Sequence, residues 1–238
     1  MPDQPPQQAP PVQRLRIRYA KRGRLRFTSH RDFARAFERA LVRAAIPMAY
    51  SSGFHPHPRI SYAGAAPTGS ASEAEYLELA LAEVVVPAEV HAMLDEALPP
   101  GLDVLEVVPA QGVALAERMQ ASVWRLVLSG VEPAEVAPAL QVFLDTPEVL
   151  VERMTKKGMR EFDARAAVAS LAVEGTSLDL FLHHTVPAVR PDDVLAGLRE
   201  VAGLDVAPGV LAERRAQGPL DEETGAVGDP LAPDRDAV

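Results

Sequence analysis

Residues 24–69 read RLRFTSHRDFARAFERALVRAAIPMAYSSGFHPHPRISYAGAAPTG. Ser29 is a residue type that caps helix N-termini, and Asp32 brings the negative charge that a first helical turn favours. Apolar side chains then recur at helical spacing from Phe33 to Ala44, and Pro47 follows. The stretch therefore predicts a strand end, a helix that begins after Ser29, and a loop stiffened by proline.

Arginines recur every fourth position on another face of the predicted helix, at Arg31, Arg35, Arg39 and Arg43. Neighbouring like charges at this spacing repel by a few tenths of a kcal/mol. Residues 14–59 contain twelve basic and two acidic side chains, whereas the whole chain has a formal net charge of −9. This segregation favours an anionic partner. The alternative is that these arginines lie on ordinary solvated faces or pair with the acidic remainder.

The order of predicted elements in residues 14–110 is strand, helix, two strands, helix and strand. A second set with extra strand material in its middle and a turn at residues 156–158 follows in residues 121–216. The sequence predicts an α+β protein with two tandem ferredoxin-like (βαββαβ) domains, whose antiparallel sheets carry helices on one face. We expect disordered tails at residues 1–13, which are rich in Pro and Gln, and at residues 217–238, which are acidic.

Composition excludes several functional classes. The 238 residues include no cysteine, so disulfides, thiolate metal sites and cysteine nucleophiles are excluded. The sequence contains no apolar run of membrane-spanning length and no secretory signal, and we expect a cytoplasmic protein. It contains no P-loop, dinucleotide fingerprint or Gly-x-Ser-x-Gly motif. We therefore predict no catalytic residue, no cofactor, no metal site and no membrane partner.

His55 and His57 each precede a proline, which favours an extended backbone. Such imidazoles can bind metal, contact an anion or only form structural hydrogen bonds. No acidic residue lies beside the pair, which disfavours metal, and the other two roles remain open. Phe54 and Tyr50 lie among basic residues, where aromatic rings can stack on bases, although core packing is the alternative for Tyr50. His30, at the helix start, fits either contact with phosphate or packing at the cap.

These observations define one candidate site for nucleic acid or another anion. Its residues are Ser29, His30, Arg31, Arg35, Arg39, Tyr50, Phe54, His55, His57 and Arg59.

Three runs resemble a known bacterial family: LRFTSHRDFARAFERAL at 25–41, IPMAYSSGFHPHPRISYA at 46–63 and GSASEAEYLEL at 69–79. They resemble the radical-SAM-associated domain of unknown function, which occurs alone or fused C-terminal to radical SAM proteins. KKGMREFDAR at 156–165 and VRPDDVL at 189–195 resemble weaker features of its second half. The sequence departs at Arg31, where Leu is usual, and at His55, where Asn is usual. The second departure argues against an obligatory role for the His55 imidazole.

The resemblance implies a partner more than an activity. Members of the family lie near radical SAM genes and near ribonuclease and ribosomal-protein genes, which implies a connection with RNA. We expect a non-catalytic accessory protein that works with a radical SAM enzyme and binds RNA, during tRNA or rRNA processing or modification. The alternatives are a metal-independent RNA endonuclease with His30 as acid and base, and a subunit that only binds protein.

Overall fold

The computed structural model describes residues 7–155, 158–221 and 223–235. The chain divides into two compact units, one formed by Met1–Met119 with Asp229–Val238 and the other by Gln120–Gly228. The domain predicted at residues 14–110 lies inside the first unit, and the domain predicted at residues 121–216 lies inside the second. Within the described ranges, no helix has the length and apolar character that a bilayer span requires.

The first unit consists of one antiparallel sheet and two long helices. Its elements are β1 (Gln13–Lys21), α1 (His30–Arg43), β2 (Ile60–Ala63), β3 (Ala71–Leu81), α2 (Pro87–Ala97) and β4 (Val104–Pro109). The strands lie in the order β4-β1-β3-β2, and each neighbouring pair is antiparallel. The predicted α+β class with antiparallel sheets and helices is confirmed.

One face of this sheet packs on both helices. Leu15 and Ile17 alternate along β1 with polar residues, and both are fully buried in the same cluster as Phe37 of α1 and Leu94 of α2. Each such side chain contributes roughly 1.5–3 kcal/mol on burial. This packing fixes which face of α1 points inward and leaves its arginine face outward.

The start of α1 is the one that the sequence predicts. The Ser29 hydroxyl accepts a hydrogen bond from the Asp32 amide at 3.2 Å and donates one to the Asp32 carboxylate at 2.7 Å. The helix ends at Arg43, before the predicted stop at Pro47. Ala45 adopts a φ of 51°, and the Ile46 amide donates to the Leu41 carbonyl, which closes the helix without proline.

The segment before α1 differs from the prediction. The sequence pattern of residues 25–28 favours an extended strand or its hairpin return, but Gly23–Phe27 forms a 3-10 helix. Gly23 has a φ of 55°, which ends the extended conformation, and the Leu25 amide donates to the Arg22 carbonyl. The alternation of arginine with apolar residues therefore continues in the sequence after the strand has ended.

The C-terminal segment also differs from the prediction of an acidic disordered tail at residues 217–238. Leu231 packs with Tyr76 and Val108 on the sheet face opposite the helices. A short helix, Ala232–Arg235, follows, and its Asp234 is fully buried. The segment is ordered because its apolar and acidic side chains each have a buried partner on the first unit. Residues 236–238 lie outside the described residues, as do residues 1–6 of the predicted N-terminal tail.

The second unit repeats the strand arrangement with an insertion. We number its elements onward as β5 (Ala121–Val127), α3 (Pro133–Asp145), β6 (Leu150–Thr155), β7 (Gly158–Asp163), α4 (Ala164–Ala167), β8 (Val168–Glu174), β9 (Ser177–His183), α5 (Pro191–Ala202) and β10 (Leu211–Gly218). The sheet order is β10-β5-β9-β8, again antiparallel, and β6 with β7 forms a separate hairpin. Residues 156 and 157 of the predicted turn lie outside the described residues.

The sequence pattern after the predicted turn favours a strand over residues 159–167, and the observed strand is shorter. It ends at Asp163, whose carboxylate accepts a hydrogen bond from the Arg165 amide at 2.8 Å and caps α4. A side chain that bonds the backbone two residues ahead competes with strand pairing, which explains why the chain leaves the hairpin here.

Candidate functional site

Arg31, Arg35 and Arg39 lie on the exposed face of α1. In the part of the chain that the structure describes, none of their guanidinium groups has a hydrogen-bond or ion-pair partner. Three adjacent cations without a counter-charge repel one another mildly on the free protein. They are therefore available to an anion that spans about two helical turns.

Much of the remaining basic segment is already paired. Arg14 and Arg16 bond the carboxylate of Glu78 at 2.8 and 3.1 Å, and Arg22 bonds Glu73 at 2.7 Å. Backbone carbonyls accept hydrogen bonds from Arg18, Lys21 and Arg43. The charge segregation in the sequence therefore overstates the number of free cations, and Arg31, Arg35 and Arg39 on α1 form a row among those that remain.

The imidazole of His30 is exposed at the helix start and packs edge-on against Tyr62, with 4.8 Å between ring centroids and an interplanar angle of 87°. Among the described residues, the ring has no hydrogen-bond partner. Tyr62 also meets Phe33, with 6.0 Å between centroids. His30 is thus held by aromatic packing, while Ser29 bonds Asp32 as the cap.

The hydroxyl of Tyr62 is buried and has no hydrogen-bond partner among the described residues. Burial raises the pKa of this phenol above its ordinary value, and the negative charge of Glu38 raises it further. The phenol is therefore a neutral donor at physiological pH, and it lies within electrostatic reach of Glu38.

The loop after α1 is closed at its base and exposed at its tip. The Ser51 amide donates to the His57 carbonyl at 2.9 Å, and the His57 amide donates to the Ser51 hydroxyl at 3.0 Å. Phe54 is 73% exposed, and the rings of His55 and His57 are exposed as well. Arg59 is half-buried, with its amide bonded to the Ala49 carbonyl. The loop presents one aromatic ring and two imidazoles to solvent.

A groove runs between α1 and the chain that follows it. One part is a cavity of about 340 Å³ lined by Glu38, Leu41, Val42, Ala45, Ile46, Met48, Tyr50 and Pro58. A second part, of about 390 Å³, is lined by Arg35, Glu38, Arg39 and Val42. The second part is lined by α1 alone, and Glu38 and Val42 line both parts.

The groove brings together only some of the predicted site residues. Arg35, Arg39 and Tyr50 line it, and Tyr50 is 39% exposed. Among the described lining residues, Phe54, His55 and His57 do not occur. Sequence reasoning missed Glu38 and Val42. For Val42 the sequence did contain a signal, because an apolar residue three positions after Arg39 falls beside the arginine face of α1. In the structure its side chain is 75% exposed.

The described residues contain no set of three His, Cys, Asp or Glu side chains that could hold a metal ion. Two cavities of the second unit, of about 350 and 580 Å³, lie beside the segment that follows α5 and share Leu204 and Asp205. Arg199 is the basic residue among their described lining residues, and it pairs with Asp205 at 3.3 Å. The unpaired arginines and the exposed aromatic rings described above lie in the first unit.

A family model described as "Uncharacterized protein conserved in bacteria" (DUF2344) matches residues 14–191. No curated protein matches the chain. Among solved structures, the crystal structure of a Cbf5-Nop10-Gar1 complex aligns with a TM-score of 0.48 and 10% sequence identity. The alignment covers 92% of this chain and 56% of that chain.

Proposed function

We propose that this chain, which belongs to the bacterial family of uncharacterized proteins DUF2344, binds RNA through α1 and the loop that follows it. The observation that carries the proposal is the unpaired row of Arg31, Arg35 and Arg39 beside a groove that contains Tyr50. Arginines neutralise phosphates, and an exposed aromatic ring stacks on unpaired bases. Phe54, His55 and His57 would extend the contact from the loop.

We further infer an accessory role beside a radical SAM enzyme, with tRNA or rRNA as the bound molecule. Support comes from the resemblance of residues 25–79 to the radical-SAM-associated family. The iron–sulfur cluster of such a reaction is held by cysteine thiolates, and this sequence contains none. The partner would therefore hold the cluster, and this chain would present the RNA.

We also infer that both units are versions of the ferredoxin-like fold. The orders β4-β1-β3-β2 and β10-β5-β9-β8 are equivalent when each unit is numbered from its own first strand. RNA-recognition modules of this topology stack bases on the open sheet face. In the first unit Leu115 and Leu231 pack on that face, which is why we assign binding to the α1 side.

The test replaces two arginines of the row. We expect Arg35→Ala with Arg39→Ala to weaken binding of single-stranded RNA and to lower the salt dependence by about 0.7 in log-log slope for each phosphate that is no longer neutralised. The matched control is Arg199→Ala with Arg215→Ala, because these exposed arginines pair with Asp205 and Glu213. Unchanged affinity and slope in the α1 variant would contradict the proposal.

Metal-independent RNA cleavage by His30 is a second candidate. One observation favours it: the exposed imidazole lies against Tyr62, whose buried hydroxyl has no partner among the described residues. Cleavage through the 2′-hydroxyl requires a general base and a general acid, and histidine can fill both roles. Tyr62 stays protonated and would only position the imidazole. We expect labelled RNA to be cleaved by the protein in the presence of a metal chelator, and we expect His30→Ala to abolish the cleavage. RNA that stays intact, or a cut that persists in the variant, rules this candidate out.

A further inference from the structure

Glu38 lines both parts of the groove. On one side are the apolar side chains and the ring of Tyr50, and on the other are Arg35 and Arg39. Glu38 is half-buried, and in the described structure its carboxylate has no hydrogen-bond or ion-pair partner, although arginines lie three positions before it and one after it. A half-buried acceptor without a partner, between an apolar wall and a cationic row, indicates a ligand that carries donors as well as negative charge.

We propose that this groove is a nucleobase slot that selects guanine in single-stranded RNA, an inference that rests on the RNA-binding function proposed above. The base lies in the 340 Å³ part beside Tyr50 and Met48, with its edge toward Glu38. The flanking phosphates lie along Arg35 and Arg39. Volumes of roughly 300–1,000 Å³ are typical of sites that bury small ligands, so the slot accommodates one base.

The carboxylate of Glu38 decides the choice of base. An ionised carboxylate only accepts hydrogen bonds, and its two oxygens pair best with two adjacent donors. Guanine offers such a pair in N1–H and N2–H on its Watson–Crick edge. Adenine and cytosine place an acceptor beside their amino group, and uracil places its one N–H between two carbonyls. Guanine is therefore the common base that satisfies both oxygens of Glu38.

The experiment measures affinity for two RNA oligonucleotides, oligouridine and the same oligomer with one central guanosine. We expect the wild-type protein to prefer the guanosine oligomer by about tenfold, the discrimination that a bidentate contact provides. Glu38→Gln removes a negative charge, which strengthens the electrostatic attraction of both oligomers by the same factor. That factor cancels in the ratio of the two affinities, so the ratio is the readout. We expect that ratio to fall to about one in this variant. The control is Glu96→Gln on α2, an exposed glutamate of the same unit, which leaves the ratio unchanged.

Tyr50→Ala is a second variant, expected to weaken binding of both oligomers by about tenfold because the stacking surface is removed. Two outcomes would contradict the guanine slot while the RNA-binding function stands. In the first, binding depends on Arg35 and Arg39 but the affinity for the guanosine oligomer is no higher than for oligouridine. In the second, Glu38→Gln preserves the higher affinity for the guanosine oligomer. If neither oligomer binds, the proposed function fails and the slot fails with it.

Discussion

At the residue scale, Asp234 is the side chain that most changes the interpretation of the sequence. Its buried carboxylate accepts hydrogen bonds from Arg16 at 2.9 Å and from Arg118 at 2.7 Å, and from the Gln111 amide at 2.9 Å. The three partners are more than 100 positions away in the chain. No local pattern in an acidic segment indicates such a contact, so the sequence predicted disorder there.

Replacement of Asp234 by Asn leaves the buried guanidinium of Arg118 without a counter-charge and leaves that of Arg16 with Glu78 alone. We expect Asp234→Asn to lower the free energy of unfolding by about 3–5 kcal/mol, because breaking a buried pair costs more than the pair contributes. Urea denaturation measures it. Asp205→Asn is the control, since that carboxylate pairs with Arg199 on the surface and is expected to cost at most about 1 kcal/mol. If Asp234→Asn lowers the free energy of unfolding no more than Asp205→Asn does, the buried cluster does not have the assigned role.

The phenol of Tyr62 gives a pH prediction. Its pKa is raised above the ordinary value of about 10, mainly by burial and secondarily by Glu38. Since the folded state binds this proton more tightly than the unfolded state, the associated stability is present below that ordinary pKa and is lost as the pH rises beyond it. In a pH titration followed by tyrosinate absorbance, we expect one phenol to ionise at a higher pH than the others. We expect Glu38→Gln to lower the pKa of this phenol without restoring the ordinary value. No change in that variant would exclude an effect of the Glu38 charge.

The arginines show how much of the site the sequence could predict. Arg31, Arg35 and Arg39 are four positions apart, and this spacing correctly predicted that they share one face of a helix. The prediction succeeds because helical periodicity depends only on neighbouring residues. The pairing of Arg16 and Arg22 with Glu78 and Glu73 depends on strand register across more than 50 positions, which no local pattern contains. For the same reason the sequence did not indicate that Glu38 shares a groove with Tyr50.

At the element scale, α1 orients the candidate site. Ser29 sets where the helix begins, and the apolar stripe from Phe33 to Leu41 sets its rotation on the sheet. We expect Ser29→Ala to destabilise the protein by about 1 kcal/mol through loss of the cap, as measured by chemical denaturation. Ser29→Asp retains a capping acceptor and is expected to preserve most of the stability. Equal losses in both variants would mean that the cap hydrogen bond is not the cause.

The elements that differ from the prediction share a physical cause. Residues 23–27 carry strand-like alternation, but Gly23 at positive φ turns the chain into a 3-10 helix. Residues 164–167 continue an apolar strand pattern, but the Asp163 cap starts a helical turn. In each case one backbone conformation or one side-chain hydrogen bond overrides a periodic pattern, and periodicity carries no information about either.

At the scale of the whole molecule, the first unit includes residues 229–235, which follow the second unit in the sequence. Residues 229–235 supply Leu231 to the sheet face and Asp234 to the buried cluster. We expect truncation after Gly228 to lower the melting temperature by several degrees, because it removes the apolar burial of Leu231 and the carboxylate that pairs with Arg16 and Arg118. A chain that ends at Arg235 is the control and keeps the melting temperature of the full chain. Equal melting temperatures in the two truncations would contradict the role of this segment.

The location of bound RNA tests the central claim most directly. Ultraviolet cross-linking of single-stranded RNA to the whole protein, followed by mass spectrometry of the peptides, reports which residues contact bases. We predict cross-links in α1 and at Tyr50 and Phe54, and their loss in Arg35→Ala with Arg39→Ala. Cross-links confined to the second unit would contradict an RNA site on α1. So would the absence of RNA cross-links together with a protein partner that co-purifies regardless of nuclease treatment.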